Sequence, residues 1–281
     1  MDKTEYSKSV NEHYGRQDLG TAFLGALRAN GKDPDNLSYQ DLSMADNFHS
    51  RGKDATLELA RMADLRPGQS VLDVGGGVGG PARVLAAEFD CLVTVLDLTE
   101  EFCRVGEMLT ARTGLSDKVI FKVGSALDMP FPDASFDVVW TQHSSMNISD
   151  KERLYSEIHR VLRPGGRLAI HEIMAGPEQP INFPVPWATT QEISFLRPAD
   201  EMRRLIAATG FKEVTWLDVT RPTQEWARQR AAAATASGAS SPPPLGLNLL
   251  IGESFSQAMK NMTGNLDEGR IVIIEAVFDK L

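Results

Sequence analysis

Cysteine is nearly absent: Cys91 and Cys103 are the two in 281 residues. Two thiols cannot build a disulfide framework or close a zinc cage on their own, so the expected compartment is a reducing, cytoplasmic one. An excess of positive charge is missing too. Twenty-nine Lys and Arg stand against 38 Asp and Glu, a net charge of -9, and an acidic chain repels phosphate backbones and anionic lipid. Neither nucleic acid nor a membrane surface is expected as a partner. Long apolar runs are also lacking. The longest uncharged stretch, between Arg230 and Glu253, is interrupted by serines and by Pro242 to Pro244 and does not read as a membrane span. The opening residues, Met1 to Lys8, are polar and lack the apolar core of a signal peptide. Five scattered histidines show no metal-ligand spacing, and no metal is expected.

What is present is the balance of a soluble protein with a real core, 42% hydrophobic and 24% charged. The length suits one large domain with a modest cap. Residues 1–66 read as a polar, helical cap, and Arg66-Pro67-Gly68 closes it. Residues 67–281 then begin a regular alternation. Apolar runs at Ser70–Val74, Leu92–Leu96, Val119–Val123, Phe136–Thr141 and Arg167–Ile173 are short, rich in Val, Leu and Ile, and bounded by Gly, Asp or Pro. Between them lie stretches of helical spacing. Phe102, Val105 and Leu109 form one; Leu154, Ile158, Val161 and Leu162 form another, opened by the capping box Ser149-Asp-Lys-Glu152. Strands buried on both faces and alternating with helices mean an α/β fold with a parallel sheet and right-handed crossovers. Two more strands are expected at Phe211–Val219 and Arg270–Phe278, with an insertion at 221–268 whose Ala231–Pro244 part reads as a hinge or surface excursion.

Ligands in such sheets bind beyond the carboxyl ends of the strands. The segment Val71-Leu-Asp-Val-Gly-Gly-Gly-Val-Gly-Gly80 follows a strand and precedes a helix. Its glycines permit close backbone approach, and the helix N-terminus favours an anionic group. Twenty residues beyond Gly77 stands Asp97, placed to accept both hydroxyl protons of a ribose. Gly75, Gly77 and Gly80 fit the dinucleotide fingerprint of a dehydrogenase. Asp73 and Gly79 argue against it: a buried carboxylate repels a pyrophosphate and suits an ammonium. The ligand that combines these features is an amino acid joined to a nucleoside.

With these residues in view, the loop resembles the first motif of the class I S-adenosylmethionine-dependent methyltransferases. Leu96-Asp97-Leu98, Gly124-Ser125-Ala126-Leu127 and Arg160-Val-Leu-Arg-Pro-Gly-Gly166 resemble that family in the same order. The wider chain is similar to the sarcosine/dimethylglycine N-methyltransferases and the tocopherol and quinone C-methyltransferases. The resemblance implies a Rossmann-like, seven-stranded, mostly parallel sheet of order 3-2-1-4-5-7-6, with the last strand antiparallel. It implies S-adenosyl-L-methionine as cofactor and a small organic molecule as acceptor. By the same likeness Asp73, Gly75, Gly77 and Gly79 hold the methionyl end and Asp97 holds the ribose. Leu98 lies against the adenine, whose edge is lined by Ser125, Ala126 and Leu127. Gln142 and Tyr14 are further cofactor contacts. The relatives carry Asp where this chain has Ser125.

The loop after the fourth strand, Trp140-Thr-Gln-His-Ser-Ser-Met-Asn147, sits beside the transferable methyl in this fold. His143 is the candidate catalytic base, its ordinary pKa near 6.5 suiting the removal of a proton. Met146, Asn147, Glu172 and Trp187 are expected against the acceptor. Glu172 would pair with a cationic amine or else cap a backbone; Trp187 would stack on the acceptor or pack in the core. Phe183 and Phe195 would add apolar lining. Asp46 and His49 belong to the cap, and His159 reads as a solvated face. Two acceptor chemistries stay open: N-methylation of a small amine, and C- or O-methylation of a phenol, quinol or other specialised metabolite. The alternative from another class is a non-catalytic nucleoside-cofactor-binding protein.

Overall fold

A computed structural model of the chain describes residues 18–236 and 245–281. Three helices come first: α1 (Leu19–Ala29), α2 (Tyr39–Asp46) and α3 (Gly52–Met62). The alternation follows as β1 (Ser70–Val74), α4 (Gly80–Phe89), β2 (Leu92–Asp97), α5 (Glu100–Arg112), β3 (Val119–Val123) and β4 (Phe136–Gln142). It continues with α6 (Lys151–Val161), β5 (Leu162–Ala175), α7 (Ala199–Ala208) and β6 (Phe211–Asp218). The last elements are α8 (Thr220–Ala236), α9 (Asn248–Ile251), α10 (Phe255–Asp267) and β7 (Ile271–Lys280).

The seven strands form one sheet in the order β3-β2-β1-β4-β5-β7-β6, as the resemblance implies. Strands β1 to β5 are parallel, and β7 runs antiparallel to both β5 and β6. Side chains alternate across the sheet, so each strand feeds two cores. Leu72, Val74, Val139, Leu168 and Ile170 pack under α6 and α7 through Leu154, Ile158 and Ile206. Val71, Val93, Val95, Trp140 and Val277 pack on the other face against Leu59, Ala60, Ala82 and Leu85. Helix α3 therefore lies on the sheet, whereas α1 and α2 form a separate layer. There Leu19, Phe23, Leu27 and Leu42 meet Phe102, Val105 and Leu109 of α5. Each such side chain stabilises by about 1.5–3 kcal/mol when buried. An exposed pair such as Arg112–Asp35 contributes about 0–1 kcal/mol, so burial holds the layer in place.

Three local expectations are corrected. Asp150, not Ser149, caps α6, its Oδ1 accepting the Arg153 N–H at 2.9 Å. Ala231–Ala236 continues α8, since alanine is the strongest helix former; the rest of the Ala231–Pro244 segment lies outside the described residues. His159 is half-buried, its ring edge-on to Phe211 at 5.3 Å between centroids, because the end of α6 packs against the start of β6. Among the described residues no helix is long and apolar enough to cross a membrane.

Candidate active site

The loop between β1 and α4 is shaped by close approaches that only glycine allows. Gly75 has φ +73°, and a Cβ there would lie 2.5 Å from the Ser144 Cβ. This contact locks the loop to the segment after β4. A Cβ on Gly80 would lie 2.0 Å from the Asp46 carbonyl oxygen, so the end of α2 rests directly on the start of α4. Arg83 fastens that junction, donating to Asp46 Oδ2 at 2.9 Å, Val78 O at 2.8 Å and Thr110 Oγ1 at 2.9 Å.

The Asp73 and Asp97 carboxylates face the cavity beneath this loop. Asp97 closes β2; its Oδ2 accepts the Gly77 N–H at 2.9 Å and its Oδ1 the Thr99 N–H at 2.8 Å. Burial raises its pKa against the pull of those amides. Asp73 is more exposed to that penalty. Its Oδ2 is buried with no hydrogen-bond partner among the described residues, and burial, then the Asp97 charge, pushes its carboxyl up to about 8. Gly75, Gly77 and Leu98 line the same cavity, as do Ser125, Ala126 and Leu127. Gln142, His143 and Asn147 close its far side. Gly79 is not among the lining residues, and a Cβ on it would strike the Phe121 ring at 2.6 Å. It serves the turn into α4, with φ +81°. Tyr14 lies outside the described residues. Asp46, Phe48 and Phe102 line the cavity without any sequence motif having marked them.

A second chamber meets the first at Phe48, His49 and His143. Its lining is mostly apolar, with Met146, Ile173, Trp187, Trp226, Met259, Met262 and Leu266, and includes the hydroxyls of Ser50, Thr223 and Thr263. Among the described residues no Asp, Glu, Lys or Arg lines it. Trp226 also borders an outer cleft carrying Arg51, Glu58 and Arg61, and the Arg230 guanidinium sits 5.0 Å from its ring. Trp187 is buried, with Nε1 donating to Ser194 Oγ at 3.0 Å. Phe183 and Phe195 are corrections, since neither belongs to the chamber wall. Phe183 packs on the neighbouring apolar cluster, and the Phe195 backbone binds Met146 O at 2.8 Å.

The loop carrying His143 is held by Glu172 and Asn147, both expected against the acceptor, and by Lys151. Glu172 turns its carboxylate to the Ser145 and Ser144 amides, at 3.2 and 3.4 Å, and lines neither cavity. Its backbone-capping role follows from β5 register, which points Glu172 and His171 to opposite faces. Lys151 Nζ donates to the Ile148 and Ser145 carbonyls. Asn147 Nδ2 donates to Trp187 O at 2.7 Å and Ile193 O at 2.8 Å. It borders the glycine-loop cavity rather than the apolar chamber and ties the loop to the Trp187 segment.

His143 itself has φ +49°, and its backbone N–H donates to His171 O at 2.8 Å. Burial, and secondarily His49, holds its pKa well below the ordinary imidazole value. Three imidazoles gather here: His143 and His171 centroids are 4.7 Å apart, and His49 lies 6.2 and 5.6 Å from them. Ser50 Oγ sits between two of these rings, 3.2 Å from His143 Nε2 and 3.5 Å from His171 Nε2. Sequence reasoning missed Ser50 and the Trp226, Met259 and Met262 wall. Met259, Met262 and Leu266 do follow helical spacing, a signal equally suited to any core.

Residues 72–170 match the family described as a methyltransferase domain. A probable chloroplastic tocopherol O-methyltransferase of Oryza sativa subsp. japonica is 44% identical over 108 residues, 38% of this chain and 30% of that protein. A glycine/sarcosine/dimethylglycine N-methyltransferase of Actinopolyspora halophila is 31% identical over 162 residues, 58% of this chain and 29% of that protein. The geranyl diphosphate C-methyltransferase of Streptomyces coelicolor A3(2) superposes with a TM-score of 0.70 at 20% identity, covering 100% of both chains; at that identity the likeness is one of fold. The chain spans less than two thirds of the length of the curated relatives it matches. Residues 72–170 form a class I S-adenosylmethionine-dependent methyltransferase domain, and S-adenosylmethionine is that domain's cofactor. The site fits it. The unpartnered Asp73 Oδ2 suits the ammonium, Asp97 the ribose hydroxyls, and the Leu98 and Ser125–Leu127 walls the adenine.

Proposed function

We propose that the protein methylates an uncharged, largely apolar small molecule at a hydroxyl, or at an activated carbon, presented to His143. S-Adenosylmethionine supplies a methyl group on a cationic sulfonium, and the acceptor must give up a proton. One observation supports the reading: among the described residues, the chamber that opens onto the glycine-loop cavity at His143 has no carboxylate, ammonium or guanidinium in its lining. A buried charge without a partner costs several kcal/mol, so a charged acceptor group is poorly housed there. His143, kept neutral by burial, has a lone pair available for the proton. Asp73 and Asp97 orient the cofactor, and the loop held by Glu172 and Lys151 positions His143.

N-methylation of a small amine has its own supporting feature, the Trp187 and Trp226 rings of the chamber, since an aromatic face attracts a cation. The test is release of S-adenosylhomocysteine from purified protein with two acceptor pools. One pool holds phenols, quinols and hydroxylated apolar metabolites; the other holds glycine, sarcosine, dimethylglycine and larger amines. Turnover with the first alone is expected. Turnover with the second alone would move the reading to N-methylation, and cofactor binding without turnover in either would return it to a non-catalytic binding protein.

A further inference from the structure

The hydrogen bonds behind His143 run in one direction, and that direction can be read from a donor that cannot accept. Trp140 Nε1 donates to Gln142 Oε1 at 2.9 Å, and an indole nitrogen is a donor only. Thr56 Oγ1 donates to the same oxygen at 3.0 Å. The Gln142 amide is thereby fixed, with its Nε2 facing His171 Nδ1 at 3.3 Å. An amide nitrogen only donates, so His171 Nδ1 accepts and the neutral ring carries its proton on Nε2. That Nε2–H looks toward Ser50 Oγ at 3.5 Å and Glu275 Oε1 at 4.0 Å. Ser50 therefore takes the accepting role toward His171 and has its own hydrogen free for His143 Nε2, 3.2 Å away. A neutral His143 with an accepting Nε2 carries its proton on Nδ1.

Two consequences follow for chemistry at this site. The basic nitrogen of His143 is already covered by Ser50, so an acceptor proton does not reach it directly. Ser50 is also part of the chamber wall, and one lone pair of its Oγ remains for an acceptor hydroxyl.

We propose that Ser50 is a catalytic residue, the hydroxyl that receives the acceptor's proton while passing its own to His143 Nε2. The inference rests on the hydroxyl reading given above. The acceptor O–H bond breaks and an O–H bond forms on Ser50; the former Ser50 O–H bond breaks and an N–H bond forms on His143. The acceptor oxygen keeps the electron pair of its broken O–H bond for the incoming methyl. Ser50 ends as it began, and His143 becomes an imidazolium that releases its proton after turnover. Gln142 and His171 are positioning residues that keep Ser50 pointed at His143. Burial favours the neutral form of all three histidines, so the His143 Nε2 lone pair is unprotonated and can take the Ser50 proton.

Long-range 1H–15N spectra of the full chain, labelled with 15N-histidine, read the tautomers without any acceptor. The expected result is His143 protonated on Nδ1 and His171 on Nε2, with Ser50→Ala shifting the His143 tautomer and Ser50→Thr preserving it. His143 protonated on Nε2 in the wild type, or a His143 signal unmoved by Ser50→Ala, would overturn the proposal. Kinetics with 1-naphthol as an uncharged hydroxyl probe give the second readout. Ser50→Ala is expected to lower kcat by roughly 10²-fold, the scale of a lost proton-transfer partner. KM and cofactor affinity should stay within about threefold, and Ser50→Thr should restore most of the rate. A Ser50→Ala enzyme with wild-type kcat also overturns the shuttle. Absence of wild-type turnover with 1-naphthol counts against the hydroxyl reading itself, and the tautomer spectra alone then uphold or overturn the direction of the chain.

Discussion

Asp46 and Arg83 form an ion pair sealed from solvent, with Arg83 Nη2 donating to Asp46 Oδ2 at 2.9 Å and neither side chain more than 2% exposed. It joins the last residue of α2 to the helix that begins under the glycine loop. Removing one member of such a pair strands the other charge, a loss of about 3–5 kcal/mol. Asp46→Ala should therefore lower the unfolding free energy by that amount in chemical denaturation, and weaken cofactor binding as well. A loss under about 1 kcal/mol would show that apolar packing alone docks the cap.

Gly75→Ala tests the contact between the loop and the segment carrying His143. The added Cβ meets the Ser144 Cβ at 2.5 Å on a backbone with φ +73°. Strain of about 1–3 kcal/mol is expected, and it should push Ser144 and His143 outward. Calorimetric titration should give S-adenosylmethionine affinity reduced by roughly tenfold or more. Unchanged affinity would mean that the loop relaxes without moving the cavity.

The Asp73 carboxyl gives cofactor binding a pH dependence whose sign is fixed. In the free protein it stays protonated up to about 8, while a bound ammonium favours the carboxylate. Binding then releases a proton, so affinity rises as pH climbs from about 6 to about 8 and levels off above, with a limit of tenfold per pH unit. Titrations in buffers of different ionisation heat count that proton directly. Asp73→Asn should flatten the rise and weaken binding; a slope that survives the substitution assigns the proton elsewhere.

The sheet was legible because its strands are short apolar runs buried on both faces, and the nucleotide side was legible because its residues sit in one local strand–loop–helix pattern. Asp73, Gly75, Gly77 and Asp97 needed no tertiary information to be placed in one cavity. Spacing alone does not tell a glycine that borders the cavity from one, such as Gly79, that clears the Phe121 ring. The acceptor side is different in kind. Ser50, His143, Trp187, Trp226 and Met262 come from five separate segments, and no local period links them. Glu172 and His171 are adjacent in β5, and only the strand register decides that the carboxylate serves the loop amides and the imidazole faces Ser50.

Trp226 divides the apolar chamber from the outer cleft of Arg51, Glu58 and Arg61. Trp226→Ala should open that wall. The expected outcome is a raised KM for small hydroxyl acceptors and a relative gain in kcat/KM for bulkier ones, with S-adenosylmethionine affinity held within about twofold. Equal losses for acceptors of every size would place the wall elsewhere.

The proposed reaction turns on transfer of the acceptor's hydroxyl proton to His143 by way of Ser50. It is tested most directly by S-adenosylhomocysteine formation with 1-naphthol, compared between the wild type and His143→Ala at saturating cofactor. Wild-type turnover is expected, with a fall of roughly 10²-fold or more in kcat for the variant and cofactor affinity nearly unchanged. A His143→Ala protein that methylates the naphthol at the wild-type rate would contradict it.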